Sequence, residues 1–249
     1  MKAVFAAIAA LFWFGAAHTA QASQVTILSI DSSWVSASVI DRRPGGVENA
    51  GLSGVGSNTL KWGEPFPGHT EQSGFVFDHE RGLVNSEVKA NSLFNVGTFT
   101  HINRVIHCDE HLDVARLKMT VTASFDGLVR TFETYYKFDL WETPNNDDPC
   151  ANMGRNGVPD TVNQNGCADR VRLLKDDSAA ETFTHNGRVY SFELFGFEGG
   201  SEFWTIEDRE NHAWLRARFT VTEVPLPAGA WLLLGGLAGL AMVRRRARG

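Results

Sequence analysis

Cysteine is scarce in this chain, three in 249 residues, too few for a scaffold built from disulfides. Basic charge is also in deficit, with 23 Lys and Arg against 29 Asp and Glu. All the acids lie between Asp31 and Glu223, whereas Lys2, Arg244, Arg245, Arg246 and Arg248 lie outside that stretch. Residues 23–223 therefore hold 18 basic against 29 acidic side chains, a net −11. A surface this acidic repels phosphate backbones, which argues against nucleic acid as a partner. The same region has no sustained apolar stripe of helical period and no internal repeat. Disorder throughout is excluded too, because 43% of the residues are hydrophobic and 11% aromatic. The length exceeds one average domain, but fits a single all-β domain flanked by export and anchoring segments.

The two ends carry the clearest signals. Met1-Lys2 is a short positive start, Ala3 to Ala17 is almost unbroken apolar sequence, and Ala20-Gln21-Ala22 has the small-x-small form cut by signal peptidase. Residues 1–22 are thus expected to be a signal peptide, cleaved before Ser23, and the mature chain to be exported. At the other end Val224-Pro225-Leu226-Pro227-Ala228 opens an uncharged run of 20 residues to Val243, followed by Arg244-Arg245-Arg246 and Arg248. A run of that length spans a hydrocarbon core of about 30 Å. A transmembrane helix is expected over 228–243, with the arginine cluster held on the cytoplasmic side.

Between the ends, residues 23–223 read as strands. Leu117, Met119, Val121 and Ala123 alternate with Arg116, Lys118, Thr120 and Thr122, the period of a half-buried strand. Asp126-Gly127 and Asn186-Gly187 signal hairpins. A last strand alternates Leu215, Ala217, Phe219 and Val221 with polar residues. Val25 to Ile30 and Ser33 to Ile40 read as two runs around Asp31-Ser32, and Pro44 to Gly74 reads as a long loop rich in Gly, Ser and Pro. The expected fold is a single antiparallel β-sandwich, jelly-roll-like.

Cys150 and Cys167 bracket a loop dense in Asn, Asp and Gly. In an oxidising compartment a disulfide between them is the economical pairing, with Cys108 left buried or as an alternative partner. Closing such a loop contributes about 3 kcal/mol on the chain-entropy argument. Asn145, Asn146, Asp147 and Asp148 before it, with Asp160 and Asp169, offer hard oxygen donors, and Asp147 and Asp148 are the candidates for calcium. EF-hand spacing is absent, and such clusters also serve simply as turns.

Other chemistry finds less support. His101, His107 and His111 form the densest histidine group, yet no HExxH is present and the adjacent strand pattern leaves little room for a helix to bring 107 and 111 together. GxSxG is missing, and paired acids such as Asp176-Asp177 need a fold to set them across a cleft. No catalytic residue is therefore assigned, and no cofactor beyond calcium. Trp62, in the Gly/Pro-rich stretch, is the candidate sugar contact if its ring is exposed; otherwise it plugs the end of the sandwich. Trp34, Trp141, Trp204 and Trp214 fall in strand patterns and are expected in the core.

Two resemblances complete the reading. The Val224–Ala228 motif, the apolar run and the terminal arginines, in that order, resemble the PEP-CTERM class of bacterial sorting signals in its VPLPA variant, which implies processing by an exosortase. Thr100-His101-Ile102-Asn103 after Gly97-Thr98-Phe99 resembles the motif of THxN-family PEP-CTERM proteins, and is similar to choice-of-anchor surface domains. Glu142-Thr143-Pro144-Asn145 and Gly166-Cys167-Ala168-Asp169-Arg170-Val171 continue that likeness. The resemblance implies an exported surface domain associated with envelope and exopolysaccharide, and no catalytic residues. Thr100, His101 and Asn103 are expected to be structural, bridging a strand end to nearby backbone. The expected organisation is 1–22 signal peptide, 23–223 surface domain and 224–249 sorting signal. The expected function is that of a non-enzymatic surface or matrix protein, with a carbohydrate-binding module and a secreted hydrolase or metalloenzyme as alternatives.

Overall fold

A computed structural model describes residues 24–42, 45–49, 51–107, 110–174 and 181–224. The expected signal peptide, Cys108, Asp176-Asp177 and the sorting segment from Pro225 onward lie outside the described residues.

Among the described residues there are twelve strands: β1 (Gln24–Asp41), β2 (Thr59–Trp62), β3 (Ser73–His79), β4 (Ser86–Lys89), β5 (Phe94–Asn103), β6 (Glu110–Phe125), β7 (Leu128–Trp141), β8 (Asp169–Leu174), β9 (Thr182–His185), β10 (Arg188–Phe197), β11 (Glu202–Thr205) and β12 (Arg209–Glu223). They make two six-stranded antiparallel sheets, in the orders β11-β8-β7-β6-β1-β4 and β2-β3-β5-β12-β10-β9.

The local chemistry explains the long strands. Asp126-Gly127 takes φ of 50° and 85°, and Asn186-Gly187 takes 48° and 71°. Two successive positive-φ residues twist a two-residue turn in the same sense as its strands, so Phe125 pairs with Leu128 and His185 with Arg188. Leu117, Met119, Val121 and Ala123 are fully buried on one face of β6.

Two of the strand expectations change. Residues 24–41 are one strand rather than two, because Asp31 and Ser32 stay paired with Thr120 and Met119. Irregularities at Ile27/Ser29, Trp34/Ser36 and Ser38/Val39 absorb the bends instead. The Pro44–Gly74 stretch is not wholly loop, since β2 lies inside it with Leu60 and Trp62 alternating into the core.

The inner faces of the sheets meet through aromatic rings. Phe99 of β5 stacks on Phe138 of the opposite sheet with centroids 4.9 Å apart, and edges onto Phe197 at 5.4 Å and Phe203 at 6.0 Å. A second nest joins Phe125 and Phe132 to Tyr190 and Phe219. Tyr136 crosses the gap differently, its hydroxyl accepting the Leu194 N–H at 3.0 Å. Burial pushes that phenol up to about 12, so it stays protonated.

Candidate functional site

At one end of the layers the strands run out into polar residues. Asn103 closes β5, Glu142 follows β7, Asp169 opens β8, and Glu207 sits in the turn between β11 and β12. The carboxylates of Glu142, Asp169 and Glu207 offer oxygens all within 4.8 Å of one another. Among the described residues they are the one group of three or more His, Cys, Asp or Glu side chains placed to share a metal ion.

The backbone around these acids is firmly tied. Thr143 N–H donates to Asp169 Oδ1 at 2.7 Å, and Thr143 Oγ1 donates to the Ala168 carbonyl at 3.1 Å. Asn165 donates to the Glu207 carbonyl at 2.9 Å. The Asn211 amide brackets the same turn, accepting from Ile206 N–H at 2.7 Å and donating to Ile206 carbonyl at 2.9 Å. Asn145 is held by its carbonyl, which accepts from Asn156 Nδ2 at 2.7 Å. Gly166 has φ of 135°, and a Cβ there would stand 3.0 Å from Asn145 Oδ1. A glycine at this position leaves that oxygen its space.

The Cys150–Cys167 disulfide closes the loop two residues before Asp169. Replacing both cysteines by alanine is expected to remove about 2–4 kcal/mol of stability. That corresponds to a melting point lower by about 5–15 °C for a domain of this size; a shift under about 2 °C would show that the loop holds itself by hydrogen bonds alone.

The side-chain oxygens are much less well served than the backbone. Asn103 Oδ1, Glu142 Oε2, Asn145 Oδ1 and both Glu207 carboxylate oxygens are buried without a hydrogen-bond partner. Buried polar atoms are nearly always paired, so five orphan oxygens in one place need a reason. Burial raises the Glu142 carboxyl well above its usual range, and the charges of Asp169 and Glu207 add to the effect. Asp169 is raised well above its usual range by burial and by Glu207, against the opposing Thr143 and Asn103 donors. Burial pushes Glu207 up to about 7, while the amides of Asn145 and Asn103, close enough to favour its charge though outside good hydrogen-bond geometry, hold it down and Asp208 adds to the rise. Glu142 lies partly at the surface as a residue, but its Oε2 is closed off. Two like charges about 5 Å apart repel by on the order of 3 kcal/mol at an effective dielectric of 20. The group therefore calls for protons or a cation, and an all-oxygen donor set suits a hard cation.

The Thr100–Asn103 segment splits between two faces of β5. Thr100 points outward and shares a 2.9 Å hydrogen bond with His212 Nδ1 on the neighbouring strand. His101 and Asn103 point inward. Asn103 Nδ2 donates to Asp169 Oδ2 at 2.9 Å, linking one sheet to the other. His101 Nδ1 lies 2.9 Å from Thr205 Oγ1, which itself donates to the Asp169 carbonyl at 3.2 Å. Thr205 has spent its proton, so His101 carries hydrogen on Nδ1. Burial pushes the imidazole down to about 3, keeping it neutral. The expected bridge from this motif to backbone is thus corrected: its contacts go to side chains, two of them across the sheets.

Several other expectations also move. Trp62 is fully buried, stacked on His101 at 5.9 Å and edge-on to Phe75 at 4.8 Å, so it offers no face to a sugar and plugs the core instead. Trp34 is core as expected, but Trp141 and Trp214 are 44% and 39% exposed, because they alternate with buried Leu140 and Leu215 on the outer faces. Asp147 and Asp148 face solvent, and Asp148 pairs with Arg155 at 3.5 Å, so neither joins the acid cluster. His101, His107 and His111 do not come together: His107 packs on Phe66 and His111 lies on the outer face of β6. Glu207 escaped the sequence reading. Its only local signal is the Glu207-Asp208 pair before the last strand, a pattern that any turn could share.

The fold and site define an all-β protein of two antiparallel sheets whose layers are joined at one end by a buried carboxylate–amide cluster. Comparison with family models and with curated proteins gives no match for this chain.

Proposed function

We propose that this is an exported, non-enzymatic bacterial surface or matrix protein, a jelly-roll-like β-sandwich delivered by an exosortase-type sorting tail and associated with envelope or exopolysaccharide. The observation that carries the reading is the Val224–Ala228 motif, followed by an uncharged run and four arginines. Val224, the one residue of the motif among the described residues, is 45% exposed and its N–H donates to the Gly187 carbonyl at 2.8 Å, which supports access of a processing enzyme to the start of the motif. The Cys150–Cys167 disulfide suits an oxidising compartment. The sandwich reading draws support from the aromatic packing between the sheets, and from the pairing of β1 with β6 and of β12 with β5 across long stretches of sequence.

The test is expression of the full chain in a bacterium with an exosortase and in a matched strain without it. The expected product begins at Ser23 in both and loses the arginine cluster only where the exosortase is present. An intact arginine cluster in both strains, in protein that has left the cytoplasm, would reject the sorting assignment.

A second reading, a carbohydrate-binding module, is favoured by one groove. A depression of about 430 Å³ is lined by Arg42, His111, Asp113, Asp139, Trp141 and Arg170 among others. Trp141 stands in it with Trp204 at 6.1 Å and the Arg170 guanidinium 4.8 Å over its ring. On this reading Trp141→Ala abolishes saturable retention on exopolysaccharide, whereas Trp214→Ala leaves it unchanged. Equal retention by both variants would exclude the groove.

A further inference from the structure

Asn103, Glu142, Asn145 and Asp169 come from three separate segments of the chain, and Glu207 from a fourth, yet the three carboxylates converge within 4.8 Å and the amide side chains of Asn103 and Asn145 lie against them. We propose that these five residues form a calcium site that ties the two sheets together at this end of the domain.

The spacing suits an ion. Calcium takes oxygens at about 2.3–2.6 Å, so oxygens on opposite sides of one ion stand about 5 Å apart. The three carboxylates fall within that span, at 4.8 Å or less. Their summed charge of −3 exceeds that of a divalent cation by one, as is ordinary for such sites.

A second observation, independent of the acids, comes from Asn103. This residue is fully buried, its amide is directed into the cluster at 2.9 Å from Asp169 Oδ2, and its Oδ1 has no partner. Without the ion, the positive edge of the amide stands in for it. A half-turn about the last side-chain bond, a broad torsion for asparagine, exchanges nitrogen for oxygen and adds a neutral ligand. Asn145 has the same capacity, with its Oδ1 buried and unpartnered and its amide close to Glu207.

Competing occupants fit less well. Structural zinc sites are built from cysteine and histidine, and no such side chain belongs to the group. Magnesium retains several waters and an ideal octahedron, whereas here protein side chains supply the donors and Asn103, Asp169 and Glu207 are buried. A catalytic pair is disfavoured because Asp169 is fully buried and Glu207 is 2% exposed. A substrate bond has no approach to them, while an ion is enclosed as the strands dock.

The inference is independent of export, since it is measured on the purified chain. The full chain is stripped with EDTA, then melted and titrated by calorimetry with calcium chloride or magnesium chloride. The expected result is one calcium per chain and a melting point raised by about 5–10 °C at a hundredfold excess over Kd. Magnesium at equal concentration is expected to give less than half that shift. Glu207→Gln and Asp169→Asn should lose the calcium shift while keeping the wild-type circular dichroism in chelator, and Asp148→Asn should keep it in full. Absence of both heat and shift for the wild type at 10 mM calcium would overturn the proposal. A response lost in Asp148→Asn but retained in Glu207→Gln would overturn it too, by placing the ion in the exposed loop.

Discussion

Replacing Phe99 by alanine is expected to destabilise the domain by about 3–5 kcal/mol, the range for truncating a buried aromatic ring. Phe99 is fully buried and touches five rings from both sheets: Trp34, Phe75, Phe138, Phe197 and Phe203. No small movement of one sheet refills a hole walled by both. Total stabilities of about 5–15 kcal/mol make this a large fraction, equivalent to a melting point lower by roughly 6–20 °C. The comparison is Val129→Ala, which is 49% exposed and should stay within about 0.5 kcal/mol. Equal effects at the two positions would mean that the aromatic nest is not the centre of the core. Phe99 also lies two and four residues before His101 and Asn103 on the inner face of β5. The variant should therefore weaken the cross-sheet hydrogen bonds as well as the packing.

The second large effect is a dependence on pH in the ion-free protein. Glu207 rises from about 4.5 to about 7 in the fold, through burial above all. A group with a raised folded pKa contributes stability that is fully present below the unfolded value and is lost as the pH climbs through the folded one. The ion-free domain should thus lose stability between about pH 4.5 and 7 through this group, by on the order of 3 kcal/mol. Glu142 and Asp169 are shifted in the same direction by burial and add to the loss as the pH rises. His101 acts oppositely. Its folded value of about 3, against 6.5 for the free imidazole, contributes stability that is present above about 6.5 and lost on acidification toward 3.

The two trends overlap, so the decisive quantity is a difference between proteins. In chelator at pH 8, Glu207→Gln should be more stable than the wild type by on the order of 3 kcal/mol, since it removes a buried charge without changing shape. At pH 4.5 the difference should close to under about 1 kcal/mol. Denaturant unfolding of both proteins at the two pH values checks this. A difference of the same size at both would indicate altered packing rather than relief of charge.

What was legible in the sequence follows from short-range physics. The β6–β7 and β9–β10 hairpins were readable because Asp-Gly and Asn-Gly accept the positive φ that such turns need, and because a half-buried strand must alternate. The loop disulfide was readable from two cysteines around a segment too polar to pack. Where local rules were weaker, the reading slipped. Asp31-Ser32 looked like a break in β1, but pairing with β6 over the whole length holds those residues in the ladder. Trp62, among glycines and prolines, was left between a sugar contact and a plug of the core, and alternation with Lys61 turns its ring into the core.

Composition and pattern by themselves determined the all-β class, the acidic surface, the hairpins, the cysteine loop and the expectation of export. Each depends on residues close together in the chain or on totals. The tertiary structure alone decided that the segments around Asn103, Glu142 and Asp169 share one place, and that Glu207 joins them from a turn that no motif marks. It also separated Asp147 and Asp148, adjacent to this set in sequence, from the buried acids. The physical reason is that a strand's direction sets where its end residue arrives, while the pairing of distant strands sets which ends meet. Neither sheet order nor the docking of one layer on the other is written in any local window. A cluster built from the ends of β5, β7 and β8 and the turn after β11 exists only once both sheets have closed.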